Sequence, residues 1–263
     1  MKTLLAALCA AVIATSVQAT TIPFTLESGL ITVPVDVGGH TLPLMLDLGD
    51  FRAISLTSGV LDSVAVDFTG EHDSFTNFAG DLLQARRFIA HDVRLGGLHY
   101  GDLDGSEDVS DPNNPSPNPY GAIGRSFFEG RRLTIDYRTS TLTMDDEPLV
   151  QAIRLPLDTA GGMMRVQATV DGKPLTLLVD TGAQVSMLAP SHFEENTRFQ
   201  DSHSAYRAQS LTVAGHDLGT VLFLRMELGV PDFDGIIGSD VLGRYRTQVD
   251  LGDGCLRLQE QAR

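Results

Sequence analysis

The chain repeats itself, and the repeat dictates what it can fold into. At an offset of 133 residues, Val33 matches Val166, Val37 matches Val170 and Gly39 matches Gly172, while Leu42, Leu44 and Gly49 match Leu175, Leu177 and Gly182. A second block recurs at an offset of 114. Here Gly121-Ala122-Ile123-Gly124 matches Gly235-Ile236-Ile237-Gly238, Ile135-Asp136 matches Val249-Asp250, and Leu142 and Met144 match Leu256 and Leu258. The change of offset, 133 minus 114, leaves 19 extra residues between the blocks of the first copy. The block order is the same in both copies. Two similar structural units related by a pseudo-twofold axis are therefore expected.

Each copy places an acid at the same point. Asp180-Thr181-Gly182-Ala183 follows the apolar run Leu175-Thr176-Leu177-Leu178-Val179. Asp47-Leu48-Gly49-Asp50 follows Leu42-Pro43-Leu44-Met45-Leu46. A carboxylate lifted from an apolar strand onto a glycine turn is costly to desolvate. Two such turns suggest two half-sites that meet, with two Asp carboxyls sharing one proton. One, ionised, can deprotonate a bound water while the other donates to a carbonyl oxygen. Like charges about 3 Å apart cannot both ionise cheaply, so the apparent pKa values split and belong to the pair. Gly49 and Gly182 would let each backbone approach its twin.

Strand signals dominate the rest. Leu30 to Val37 alternates and ends in Gly38-Gly39, and Val166 to Val170 ends in the hairpin pair Asp171-Gly172. Phe88 to Leu95, Leu133 to Tyr137, Leu211 to Val213 and Val221 to Met226 are further predicted strands, with Gly96-Gly97 and Gly215 as turns. Ser126 to Glu129 and Ser191 to Phe199 are predicted short helices. The fold class is all-β. Asp102 to Tyr120, acidic and then proline-rich, reads as a solvated surface loop. Its Gly105 falls too early for a calcium-binding EF-hand loop. The stretch from Asp145 to Gly162, with strand-like Ile153-Arg154-Leu155, is the expected connection between the copies.

Residues 1–19 read as a secretory signal: Lys2, the apolar core Leu4 to Val12, and the small-residue site Val17-Gln18-Ala19. The apolar run falls short of the ~20 residues that span a bilayer, which argues against a membrane anchor. Leu8 beside Cys9 argues against lipid anchoring. Cleavage after Ala19 leaves Cys255 alone, in the alternating run Cys255-Leu256-Arg257-Leu258, so a quiet half-buried thiol is expected and no intrachain disulfide. An exported, periplasmic or secreted protein follows. Its two lobes are expected at residues 20–150 and 151–263. The formal charge of −15 repels phosphates and offers no basic patch for nucleic acid.

Other chemistries lack their residues. The seven histidines show no zinc-ligand spacing, and His72, His91, His99 and His203 read as surface groups. Gly124-Arg125-Ser126-Phe127 lacks the second glycine of a serine-hydrolase elbow. No glycine-rich phosphate loop precedes a helix. Neither a metal nor a cofactor is expected. Asp136 and Asp250 read as strand-end acids.

Asp180-Thr181-Gly182-Ala183 with the later Ile236-Ile237-Gly238 resembles the paired signatures of aspartic proteases, and its Asp-Thr-Gly-Ala form is similar to the retropepsins. The mature chain resembles bacterial retropepsin-like proteins in which two such units are fused. The resemblance implies a bilobal, pepsin/retropepsin-like all-β fold with a cleft, Asp47 and Asp180 facing at its floor. It implies that Ile123-Gly124 and Ile237-Gly238 pack beneath their Asp turns, and that a hairpin covers the substrate. Phe75, Phe78 and Gly80 are the candidates for that hairpin; Phe75 and Phe78 could equally be lobe packing. The implied activity is that of an aspartic endopeptidase on peptide or protein substrates. The covalent duplication should fill the pseudo-twofold interface from within, so a monomer is expected.

The first copy departs from this pattern twice. Leu48 stands where the family has Thr or Ser, so the hydroxyl clasp represented by Thr181 is expected to be one-sided. Asp50 adds a third acid, expected to point outward as a solvated turn residue. Ala183 cannot donate to its Asp as a Ser would, which implies a less acidic carboxyl suited to work nearer neutral pH. Leu48 supports a second reading, a non-catalytic peptide-binding or interaction protein on the same scaffold.

Overall fold

The computed structural model describes residues 19–76, 81–109, 117–192, 205–226 and 233–261. The proposed signal core and His203 lie outside these residues. Alternation builds the first hairpin. In strand Leu30–Val37, Ile31, Val33, Val35 and Val37 are buried on one face. The chain reverses through Gly38 and Gly39, both at positive φ (56° and 85°), into strand His40–Asp47. The second copy does the same: strand Arg165–Val170 turns through Asp171 and Gly172 (φ 46° and 82°) into Lys173–Val179. Positive φ at both turn positions matches the twist of a two-residue hairpin, which explains the Gly and Asp-Gly found there.

Each second hairpin strand then pairs in parallel with a short glycine strand. His40–Asp47 lies beside Gly121–Gly124, with Leu46 opposite Ile123 and Asp47 opposite Gly124. Lys173–Val179 lies beside Gly235–Ile237, with Val179 opposite Ile237. Each copy contributes an eight-stranded sheet built around this pair. The result is an all-β, two-lobed body. Leu44, Leu46, Ile123, Leu177, Val179 and Ile237, buried strand residues from both copies, belong to one apolar cluster.

A six-stranded sheet joins the copies, in the order Thr20–Pro23, Thr141–Met144, Arg132–Asp136, Tyr245–Asp250, Cys255–Glu260, Ile153–Pro156. At its centre Arg132–Asp136 pairs antiparallel with Tyr245–Asp250, and Thr134 faces Gln248. Those two residues are 114 apart (248 minus 134), the offset of the second repeat block. An antiparallel pair whose members are also repeat partners must sit on the pseudo-twofold axis. Gln248 Nε2 donates to Thr134 Oγ1 there at 2.9 Å, buried.

Several expectations need correction. Residues 102–108 form no solvated loop; they belong to strand Leu98–Asp108, paired with Leu82–Leu95 and Ile54–Thr57. Cations on the neighbouring strand make this possible: Arg86 pairs with Glu107, Arg87 with Asp104, and His91 with Asp102. His91 is therefore not a free surface group, as it is held between Asp67 and Asp102. Short helices occupy Arg125–Phe128 and Pro190–His192, both of the 3-10 type, so Ser191 starts no longer helix within the described residues. Helical turns at Ser58–Leu61 and Ser239–Leu242 were not expected. Cys255 is fully buried, not half-buried. No helix among the described residues is long and apolar enough to cross a membrane.

Candidate active site

Both Asp turns are shaped by the glycine strand beside them. A side chain at Gly124 would meet the Asp50 and Arg52 carbonyl oxygens at 2.6 and 2.4 Å. One at Gly238 would meet the Ala183 and Val185 oxygens at 2.9 and 2.8 Å. The residue after each glycine fixes the turn: Arg125 N–H donates to Asp50 O at 2.8 Å, and Ser239 N–H donates to Ala183 O at 2.8 Å. Only glycine fits at 124 and 238, because the neighbour there is backbone and cannot give. Ile123 and Ile237 are buried under their turns.

The two turns face one another across the pseudo-axis. A side-chain carbon at Gly49 would lie 2.6 Å from the Asp180 carboxyl carbon, and one at Gly182 would lie 2.5 Å from that of Asp47. Each glycine therefore rests on the opposite lobe's acid. The structure brings the Asp47 and Asp180 carboxyls close enough for each to act on the other's proton affinity. Gly182 N–H donates to Asp180 Oδ1 at 2.7 Å. Asp47 Oδ1 accepts from Asp50 N–H at 3.0 Å.

Burial sets the proton affinity of this pair. Asp47 is pushed well above the usual carboxylate range, first by desolvation and then by the charges of Asp180 and Asp50. Asp180 is raised as well, by desolvation, against the pull of its N–H donors. Removal from water penalises an isolated carboxylate, and a second acid nearby adds to the penalty. The pair therefore holds a proton above the usual carboxylate range, and that proton belongs to the two carboxyls jointly.

The hydroxyl clasp is one-sided. Thr181 Oγ1 accepts from Leu48 N–H at 3.0 Å and donates to Leu46 O at 2.8 Å, both buried and both across the lobes. Leu48 has no hydroxyl to return; its side chain is 1 % exposed and belongs to the apolar core. Ser239 Oγ, which sequence reasoning missed, donates to Thr181 O at 3.2 Å. The repeat carries the signal for it, since Ser239 and Arg125 are 114 apart and follow the matched glycines. Ala183 packs with Leu178, Phe233 and Ile236.

Asp50 does not point into solvent. Its side chain is only 9 % exposed and is gripped by Arg52, whose Nε lies 2.9 Å from both carboxylate oxygens and whose Nη2 lies 2.7 Å from Oδ2. A charge this close to the buried pair needs a counter-charge, and Arg52 supplies it. Nothing in the spacing of the sequence pointed to Arg52. Phe75 lies near the end of strand Val66–Thr76, with the Arg52 guanidinium 5.4 Å from its ring centroid. Phe78 and Gly80 fall outside the described residues. Asp250 pairs with Arg132 and Arg257, and it lies with Asp253 and Cys255 in a cluster already satisfied by those cations.

Comparison with known proteins agrees with this architecture. A family model described as aspartyl protease matches residues 166–224, which include the Asp180 turn. No curated protein sequence matches the chain. Among solved structures, the aspartic proteinase from Irpex lacteus superposes with a TM-score of 0.58 at 16 % identity, over 93 % of this chain and 98 % of that one. At such identity the likeness speaks for the fold, and it spans nearly the whole of both chains. With the two-lobed all-β architecture and the matched Asp180 segment, it identifies the chain as having an aspartic-protease-like fold.

Proposed function

We propose that the protein is an aspartic endopeptidase in which Asp47 and Asp180 act together on a water. The observation that supports it most is the mutual seating of the two turns, with each glycine against the opposite carboxyl. In the ground state Asp47 holds the shared proton and Asp180 is the anion. Asp180 takes a proton from the water as its oxygen attacks the peptide carbonyl carbon. Asp47 gives its proton to the carbonyl oxygen, leaving a neutral gem-diol. Collapse breaks the C–N bond as Asp180 delivers its proton to the leaving nitrogen, and a diol hydroxyl returns a proton to Asp47. The dyad ends with the single proton it began with, and the two carboxyls supply both acid and base.

The raised affinity of the pair places its working range above that of an ordinary carboxylate, toward neutral pH. Export to the periplasm or medium as a monomer completes the proposal; N-terminal sequencing of the exported protein should begin at Thr20. The decisive assay compares the wild type with Asp47→Asn and Asp180→Asn on a mixed peptide library, with and without a statine-type inhibitor. Cleavage is expected to be lost in both variants and blocked by the inhibitor. Cleavage that survives either change defeats the mechanism. Leu48 favours one second reading, a binder that retains peptides without cutting them. Peptide binding by a wild type that never cleaves would establish it.

A further inference from the structure

Asp50 and Arg52 are unusual in where they stand. In the second copy the matching positions, 133 residues on, are Ala183 and Val185, which carry no charge. In the first copy they form a chelated ion pair beside the dyad. Arg52 N–H also donates to Asp50 Oδ1 at 2.9 Å, so one residue supplies backbone and side-chain donors to a single carboxylate. The guanidinium is 16 % exposed and does more than pair. Its Nη1 donates to the Glu107 carbonyl at 3.4 Å, and its face meets the Phe75 ring. Three elements thus converge on one cation: the Asp47 turn, strand Leu98–Asp108 and the hairpin strand Val66–Thr76.

We propose that Arg52 is a positioning residue of the site: it holds the Asp50 carboxylate in one orientation beside Asp47, offsets its charge, and ties the first Asp turn to Phe75. This rests on the peptidase reading for its catalytic meaning, although the charge relation stands without turnover. The charged groups around Asp50 are few. Asp47 and Asp180 lie across the turns, and both feel its negative charge. Arg125, on the turn after Gly124, also feels Asp50; among the described residues its buried Nη1 has no hydrogen-bond partner. Asp108 acts on Arg52 from strand Leu98–Asp108, while the Glu107 carboxylate is taken up by Arg86 and Ser58. Arg52 is the group that both touches Asp50 and reaches the hairpin.

The sign of each change follows. An anion near the dyad makes it keep its proton, and a cation on that anion weakens the effect. Removing Arg52 therefore moves the dyad's titration to higher pH, and removing Asp50 moves it lower. Lysine at 52 keeps the charge but not the fork or the stacked face.

The test is a carboxyl carbon-13 NMR titration of the full-length mature protein, wild type and variants, with pH–rate profiles run alongside. Arg52→Gln is expected to raise the dyad's apparent titration by at least roughly half a pH unit, and Asp50→Ser to lower it by a similar amount. Arg52→Lys is expected to titrate as the wild type but to lose kcat by roughly threefold to tenfold, since loosened orientation costs rate. If Arg52→Gln fails to fold because Asp50 is left buried and unpaired, Asp50→Ser/Arg52→Gln removes both charges and must titrate below the wild type. Arg52→Gln and Asp50→Ser titrations that stay fixed or move in the same direction overturn the proposal, as does a double variant that titrates at or above the wild type. A merely structural Arg52 would lower stability alike in the Gln and Lys variants with no titration shift. Shifts of the expected signs in a protein that never cleaves would leave this inference standing and defeat the peptidase reading.

Discussion

The two Asp turns share a backbone and differ in side chains. In both, an apolar strand runs into Asp, a glycine seats against the opposite acid, and a glycine strand packs alongside. The second turn invests in mechanics: Thr181 reaches across the interface to Leu46 and Leu48, and Ser239 supports it from below. The first turn invests in charge: Leu48 fills the core while Asp50 and Arg52 set the field next to Asp47. Once a duplicated site is fused in one chain, its halves are free to divide alignment from electrostatics. A symmetric pair has no such freedom, because each change would be made twice.

The contrast is most easily broken at the glycines. Gly182→Ala pushes a methyl into the Asp47 carboxyl, where 2.5 Å is available, and should reduce cleavage more than ~100-fold, because small displacements of reacting groups cost rate steeply. An active Gly182→Ala enzyme would show that the turns do not meet as described. Next comes the mechanical half. Thr181→Val leaves Leu48 N–H and Leu46 O buried without their partner, and denaturant unfolding should show a loss of about 2–5 kcal/mol. A loss of only a few tenths would mean that the clasp is dispensable.

A smaller effect, of opposite sign, is expected from the acid itself. Asp47 holds its proton more tightly folded than unfolded, so its contribution to stability is present below the unfolded value and lost as pH rises through the folded one. Asp47→Asn should therefore be more stable than the wild type at pH 7, by more than about 1 kcal/mol, with the gap closing below about pH 4. Equal stability at both pH values would contradict the raised affinity. Smallest is Leu48→Thr, which exchanges core packing for a hydroxyl. A loss of about 1–2 kcal/mol is expected, from removed apolar burial. A gain would reveal that the second turn offers partners for a returned bond, and that the asymmetry is reversible.

Much of the fold was legible because the sequence says the same thing twice. Leu30–Val37 and Leu211–Val213 emerge from the structure with the predicted bounds. The acidic strand Leu98–Asp108 was not legible. Its local composition argues for a loop, and it becomes a strand only because Arg86, Arg87 and His91 lie opposite. Ser239–Leu242 and Ser58–Leu61 are too short to show a helical period. At the site, the Asp-Gly turns stand out by spacing, whereas Arg52 does not. A residue two positions from Asp50 becomes its partner only when the turn folds back, and no pattern of types announces that geometry.

The pair Thr134 and Gln248 carries a final consequence. Each copy lends its closing strands to a sheet that neither completes alone, so the seam between halves is woven from hydrogen bonds instead of resting on a tether. Severing the covalent bridge near residue 150 need not part them. Separately made fragments should find one another and rebuild the cleft, as two subunits of one enzyme would.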